Sequence, residues 1–86
     1  LYVIVRTYSA GCFAGEIEGR EGKEVQLSNA RRLWEWRGAA TLSQLAATGP
    51  SRPQECKFPA PVTVLLTEAI EVIEVTEEAQ QVIESV

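Results

Sequence analysis

Hydrophobic and polar positions change period several times along the chain, and each change marks an element. Residues 2–8, Tyr-Val-Ile-Val-Arg-Thr-Tyr, are a β-branched and aromatic run with the alternation of a strand. Val3 and Val5 read as core, which places Tyr2, Ile4, Arg6 and Tyr8 on the opposite face. After the turn Ser9-Ala10-Gly11, residues 12–18 read as a second strand, with Phe13 and Ile17 in phase. Gly15 lies between them on the same face, where a glycine marks a bulge, a bend or a close approach by another group. Gly19-Arg20-Glu21-Gly22-Lys23 is a hairpin loop, and residues 24–28 are a third strand with Val25 and Leu27 inward. Ser28-Asn29 reads as a tight link to a fourth strand, 30–37. Alternation there puts Arg32, Trp34 and Trp36 on one face and Arg31, Leu33, Glu35 and Arg37 on the other.

Gly38 ends that run, and the period then becomes helical. Thr41 is an N-cap, and Gln44 completes a capping box by reaching back to the Thr41 amide. Leu42, Leu45 and Ala46 form one apolar stripe; Gly49 and Pro50 stop the helix, giving 42–48. Two turns are too short to stand without packing. Residues 50–61 hold all four prolines and read as a stiff, irregular crossing, a plain connection in the first instance, with Arg52 and Lys57 at a pocket mouth as the alternative. Residues 62–75 carry two signals. The spacing of Glu68, Glu71 and Glu74 suits a helix face, while the β-branched density suits strands. The strand reading is taken, as two short strands bent near Thr67-Glu68. Thr76 caps a closing helix at 77–85 that would pack Ala79, Val82 and Ile83, with Glu77 and Glu78 in its first turn.

These elements predict one domain over residues 1–86. Its class is mainly β (α+β): a small, strongly curved sheet or barrel of five to six strands, with one short internal helix and a C-terminal helix. A chain of 86 residues buries only about 60–65% of its unfolded surface, so oligomerisation would help it. No run approaches the ~20 apolar residues of a membrane span. Arg6 interrupts the apolar opening too soon for a secretory signal.

Charge changes the picture further. All 8 basic residues and 6 glutamates lie in residues 1–60, net +2; residues 61–86 hold 6 glutamates and no base, net −6. A net-acidic chain is a poor binder of duplex nucleic acid, but a local arginine cluster suits one small anionic ligand. Cys12 and Cys56 read as free buried thiols of a reducing compartment. With no histidine, neither a zinc site nor the usual general base is expected, and no metal or cofactor is assigned. The absence of histidine argues against most hydrolases and for a protein that is not an enzyme.

Arg31, Arg32 and Arg37 stand beside the helix start at Thr41 and Ser43, where free amides favour phosphate. Trp34 and Trp36 suit stacking on a purine or on a guanidinium plane. Arg6 and Tyr8 are a second cation and ring on one strand face. Together these nine residues make a candidate nucleotide pocket. The alternative leaves the tryptophans as core or subunit interface and pairs the arginines with glutamates. No Walker sequence or G-x-G-x-x-G is present. The glutamate-rich end reads as a solvated acidic surface.

The stretch Asn29-Ala-Arg-Arg-Leu-Trp-Glu-Trp-Arg-Gly-Ala-Ala-Thr-Leu-Ser-Gln-Leu-Ala resembles a family of small tailed-phage proteins of unknown function. So do the opening Tyr2-Val-Ile-Val-Arg-Thr-Tyr-Ser-Ala-Gly and the later Leu66-Thr-Glu-Ala-Ile-Glu. One departure is Leu1, where a start methionine is expected. The resemblance transfers no functional residue. It implies a virus-encoded protein working in the cytoplasm of a bacterial host, where small phage proteins are often counter-defence factors. By analogy of role, the expectation is a homo-oligomeric "sponge". It would sequester a nucleotide-derived immune signal, such as a cyclic ADP-ribose derivative or a cyclic oligonucleotide, without cleaving it. The other expectation is a protein-interaction or virion accessory module that uses the Trp/Arg face.

Overall fold

The computed structural model describes all 86 residues. Five strands, β1 (Tyr2–Thr7), β2 (Cys12–Glu21), β3 (Glu24–Arg32), β4 (Val62–Leu66) and β5 (Ala69–Glu74), form one antiparallel sheet in the order β4-β3-β2-β1-β5. Two helices, α1 (Leu42–Thr48) and α2 (Glu77–Ser85), and a 3-10 turn at Pro53–Glu55 complete the chain. The class is therefore α+β and mostly β, as the alternating pattern implies. The sheet stays open: β4 and β5 are both free edges, and no ladder closes it into the expected barrel. In place of a strong overall curl, the bending is local. The β2–β3 ladder shifts register between Ala14 and Glu16 and again between Ile17 and Gly19, and β3–β4 shifts between Leu27 and Ala30. Each shift inserts a residue and kinks the strand.

Both faces of the sheet are buried, which a single amphipathic strand pattern does not foresee. Tyr2, Ile4, Ala14 and Leu33 pack with Leu45 and Ala46 of α1, Ile83 of α2, and Phe58. Val3, Val5, Phe13, Val25, Leu27, Ala30 and Leu66 form a second core on the other side. Val3 and Val5 are core as expected, but Tyr2 and Ile4 opposite them are buried too. β1 thus contributes to both half-cores, which accounts for its nearly continuous apolar run.

The expected third and fourth strands are one strand. Ser28-Asn29 does not separate them. Asn29 takes φ +49° inside β3, at the bulge that lets Ala30 resume pairing with Val62. Gly15 has the close approach anticipated for it: a Cβ there would meet the Ala30 Cα at 2.9 Å. β3 ends at Arg32, five residues short of expectation, because the Trp34 amide donates back to the Arg32 carbonyl at 3.0 Å in a three-residue turn.

Both helices match the expected ranges. The Thr41 hydroxyl accepts the Gln44 amide hydrogen at 3.1 Å, while the Gln44 side chain accepts from the Ala40 amide rather than from Thr41. Gly49 caps α1 with φ +75° and lies so close to α2 that a Cβ would meet Val82 at 2.9 Å. Thr67-Glu68 is the break between β4 and β5, as the strand reading of 62–75 requires. No helix is long and apolar enough to cross a membrane.

Candidate binding surface

The structure disperses the nine candidate ligand residues. Arg31 and Arg32 are neighbours on β3 and so point to opposite faces. Arg31 reaches to the helix side, where Nε donates to the Pro59 carbonyl at 2.6 Å and Nη2 donates to the carbonyls of Phe58 and Val86. Arg32 lies on the other face, its guanidinium 4.4 Å from the Phe13 ring centroid, and Nη1 donates to the Ala10 carbonyl. Arg6 donates from Nε to Glu71 at 3.0 Å, both side chains being about half exposed. Such surface pairs contribute roughly 0–1 kcal/mol. Arg37 is exposed, 3.9 Å from Glu35. Tyr8 lies one residue beyond β1 and is exposed. Thr41 is spent on the α1 cap, and Ser43 is exposed on the first turn of a seven-residue helix.

The two tryptophans do not share a face. The turn at Leu33 breaks the alternation on which that expectation rests. Trp36 packs partly buried against the helix-side core, whereas Trp34 stays 70% exposed. Glu35 between them forms an isolated antiparallel bridge with Lys57, with the Lys57 amide donating to the Glu35 carbonyl at 2.7 Å. That bridge brings the proline-rich crossing alongside Trp34. Trp34, Lys57, Phe58 and Pro59 line a shallow groove of about 330 Å³. Lys57 lines this groove, while Arg52 pairs with Glu55 at 3.6 Å. Phe58 is buried behind the groove.

Two smaller cavities lie elsewhere. One, about 170 Å³, separates the β1–β2 turn from β4 and includes Thr7, Ser9, Phe13, Arg32 and Glu68. There the Ser9 hydroxyl faces the Glu68 carboxylate at 3.4 Å, so Arg32 shares the cleft with an acid. The other, about 180 Å³, is lined by Tyr2, Asn29, Arg31, Pro61 and Glu84. Nothing in the spacing of the sequence singles out Tyr2, Asn29 or Glu84, because they meet only through the β3 bulge and the docking of α2.

Cys12 and Cys56 are free and half-buried, both against the helix-side core. Burial pushes the Cys12 thiol above its ordinary value. The Cys56 sulfur accepts the Arg37 amide hydrogen at 3.3 Å, which helps hold the segment after Trp36. No group of three or more histidine, cysteine, aspartate or glutamate side chains is gathered to hold a metal.

The fold and its groove define a small α+β domain with one exposed aromatic groove. The chain belongs to the family described as a domain of unknown function, DUF6948, whose pattern it matches over residues 1–83. No curated protein and no solved structure matches it.

Proposed function

We propose that this chain is a binding protein rather than a catalyst, and that it works through the groove around Trp34. The observation that carries this reading is the 70% exposure of that indole beside Lys57, Phe58 and Pro59. Tryptophan is among the commonest anchors of protein interfaces. The groove is open and shallow, unlike the enclosed clefts that bury most of a small ligand. A protein surface is therefore the partner it fits best. The arginines expected to hold phosphate are largely engaged within the chain, which also favours this reading over a nucleotide pocket. The phage likeness supplies two settings: a virion accessory, or a module that blocks a protein in the cytoplasm of a bacterial host.

Sequestration of a nucleotide-derived immune signal is the second reading; Lys57, whose exposed ammonium lies 3.9 Å from Glu35, is the cation beside Trp34 that favours it. A ring for a base and a cation for a phosphate stand side by side on this face. In that case a second copy of the chain covers the open side, making the protein a homo-oligomer.

Wild type and Trp34→Ala, each immobilised, separate the readings when exposed to bacterial lysate and to a panel of cyclic nucleotides and ADP-ribose derivatives. A protein held by wild type and lost from Trp34→Ala supports an interaction module. An intact nucleotide released on heat denaturation, in near-stoichiometric amount, supports sequestration. A chemically converted compound sinks both readings in favour of catalysis. Retention that ignores Trp34 removes this face from the function.

A further inference from the structure

We propose that the cavity between β1, the β3 bulge and α2 is a binding site for a small oxyanion, a phosphate or carboxylate group, held by Arg31, Tyr2 and Asn29. This site is separate from the Trp34 groove and does not rest on the reading given above.

Three observations converge on it. The Tyr2 hydroxyl is buried and has no hydrogen-bond partner, alone among buried side-chain nitrogen and oxygen atoms of the protein. Native interiors satisfy such groups, so an orphan beside a cavity marks a place for a missing acceptor or donor. Arg31 uses Nε and Nη2 on three backbone carbonyls, which leaves both N–H groups of Nη1 without a partner. No glutamate side chain pairs with this guanidinium, unlike those of Arg6, Arg37 and Arg52; its acceptor at 2.9 Å is the main-chain oxygen of Val86, the last residue. Asn29 lines the same cavity, and its carboxamide makes no hydrogen bond within the chain.

The chemistry of this set is that of a donor cluster. A phenol is un-ionised at neutral pH and offers its proton, a guanidinium edge offers two more, and a carboxamide offers its amide hydrogens. Charge-assisted donation from arginine to an oxyanion is the strongest pairing available to such a group. A volume of about 180 Å³ holds a phosphate or carboxylate with room for a short substituent. Glu84 also lines the cavity, and its charge disfavours a second negative charge on the ligand. The site therefore selects singly charged groups.

The test uses the full chain with inorganic phosphate and, separately, acetate, against chloride at matched ionic strength near pH 6, where phosphate is mainly monoanionic. Thermal unfolding and ³¹P or ¹³C line broadening follow binding. The expected result is a saturable rise in Tm with one of the two anions that chloride does not give. Tyr2→Phe keeps the ring and removes only the hydroxyl; it should weaken binding about tenfold while the ligand-free protein remains folded. Asn29→Gly preserves the positive φ and removes the carboxamide, and should weaken binding as well. A Tm that responds to both anions no more than to chloride overturns the site. So does an affinity unchanged in both variants, which would leave Tyr2 and Arg31 as purely structural groups.

Discussion

Tyr2 gives the chain a pH dependence of known sign. Burial, reinforced by the Glu84 carboxylate and opposed by Arg31, pushes its hydroxyl from the ordinary 10.0 up to about 12. The fold therefore favours the protonated form. Its contribution is complete below pH 10 and is lost as pH rises toward 12, by about 3 kcal/mol for a shift of this size. Urea midpoints of wild type and Tyr2→Phe, measured from pH 8 to 12, should diverge above pH 10 as only wild type loses this contribution. A constant difference across that range would mean that Tyr2 ionises freely. Gly38 is another residue whose identity its surroundings dictate. It has φ +86°, and a Cβ would stand 2.2 Å from the Ser51 hydroxyl and 2.6 Å from the Ser51 amide nitrogen. Gly38→Ala should cost about 2–3 kcal/mol through strain and displacement of Ser51, read from the denaturant midpoint. A smaller loss would show that the 38–51 contact yields easily.

At the scale of elements, the two helix caps should differ in weight. The Thr41 hydroxyl caps α1 alone. The Thr76 hydroxyl caps α2 by accepting from the Ala79 amide at 3.1 Å, and it donates to the Ala47 carbonyl at the end of α1 at 2.6 Å. Thr41→Ala should cost about 1 kcal/mol and Thr76→Ala about 2. Hydrogen exchange should quicken mainly in α1 for the first and in both helices for the second. Equal losses would mean that the Thr76–Ala47 contact adds nothing. These caps also show what was legible in the sequence. A threonine, a glutamine three residues on and a closing glycine make α1 readable, and a threonine followed by two glutamates makes α2 readable. β5 is readable as a strand but not as the neighbour of β1, since pairing depends on contacts more than sixty residues apart. The tryptophan strand misleads for a local reason. Alternation persists in the letters from 30 to 37, while the turn onto the Arg32 carbonyl ends it in the backbone. With it goes the shared face of Arg32, Trp34 and Trp36 that the alternation implies.

For the whole molecule, the decisive question is which cationic and aromatic side chains hold the fold and which are free to bind. Arg31 ties three parts of the chain together: β3, the crossing at Phe58 and Pro59, and the C-terminal residue Val86 just beyond α2. A cation there also suits the carbonyl end of the helix. Arg31→Met keeps much of the stem and removes the donors, leaving three carbonyls to water. The expected loss is about 3 kcal/mol, since charge-assisted hydrogen bonds contribute roughly 1.5–3 kcal/mol each and hydration recovers part of the total. Arg31→Lys should lie between, because an ammonium reaches fewer of the three carbonyls and lacks the planar fork. Trp34→Ala should change stability by no more than about 0.5 kcal/mol, as surface substitutions do. Denaturant midpoints of all three at a common slope check the order. If Arg31→Met unfolds where wild type does while Trp34→Ala is severely destabilised, the assignment inverts. Arg31 would then add nothing to the fold and act only toward a ligand, and Trp34 would be a structural contact made only when copies of the chain associate.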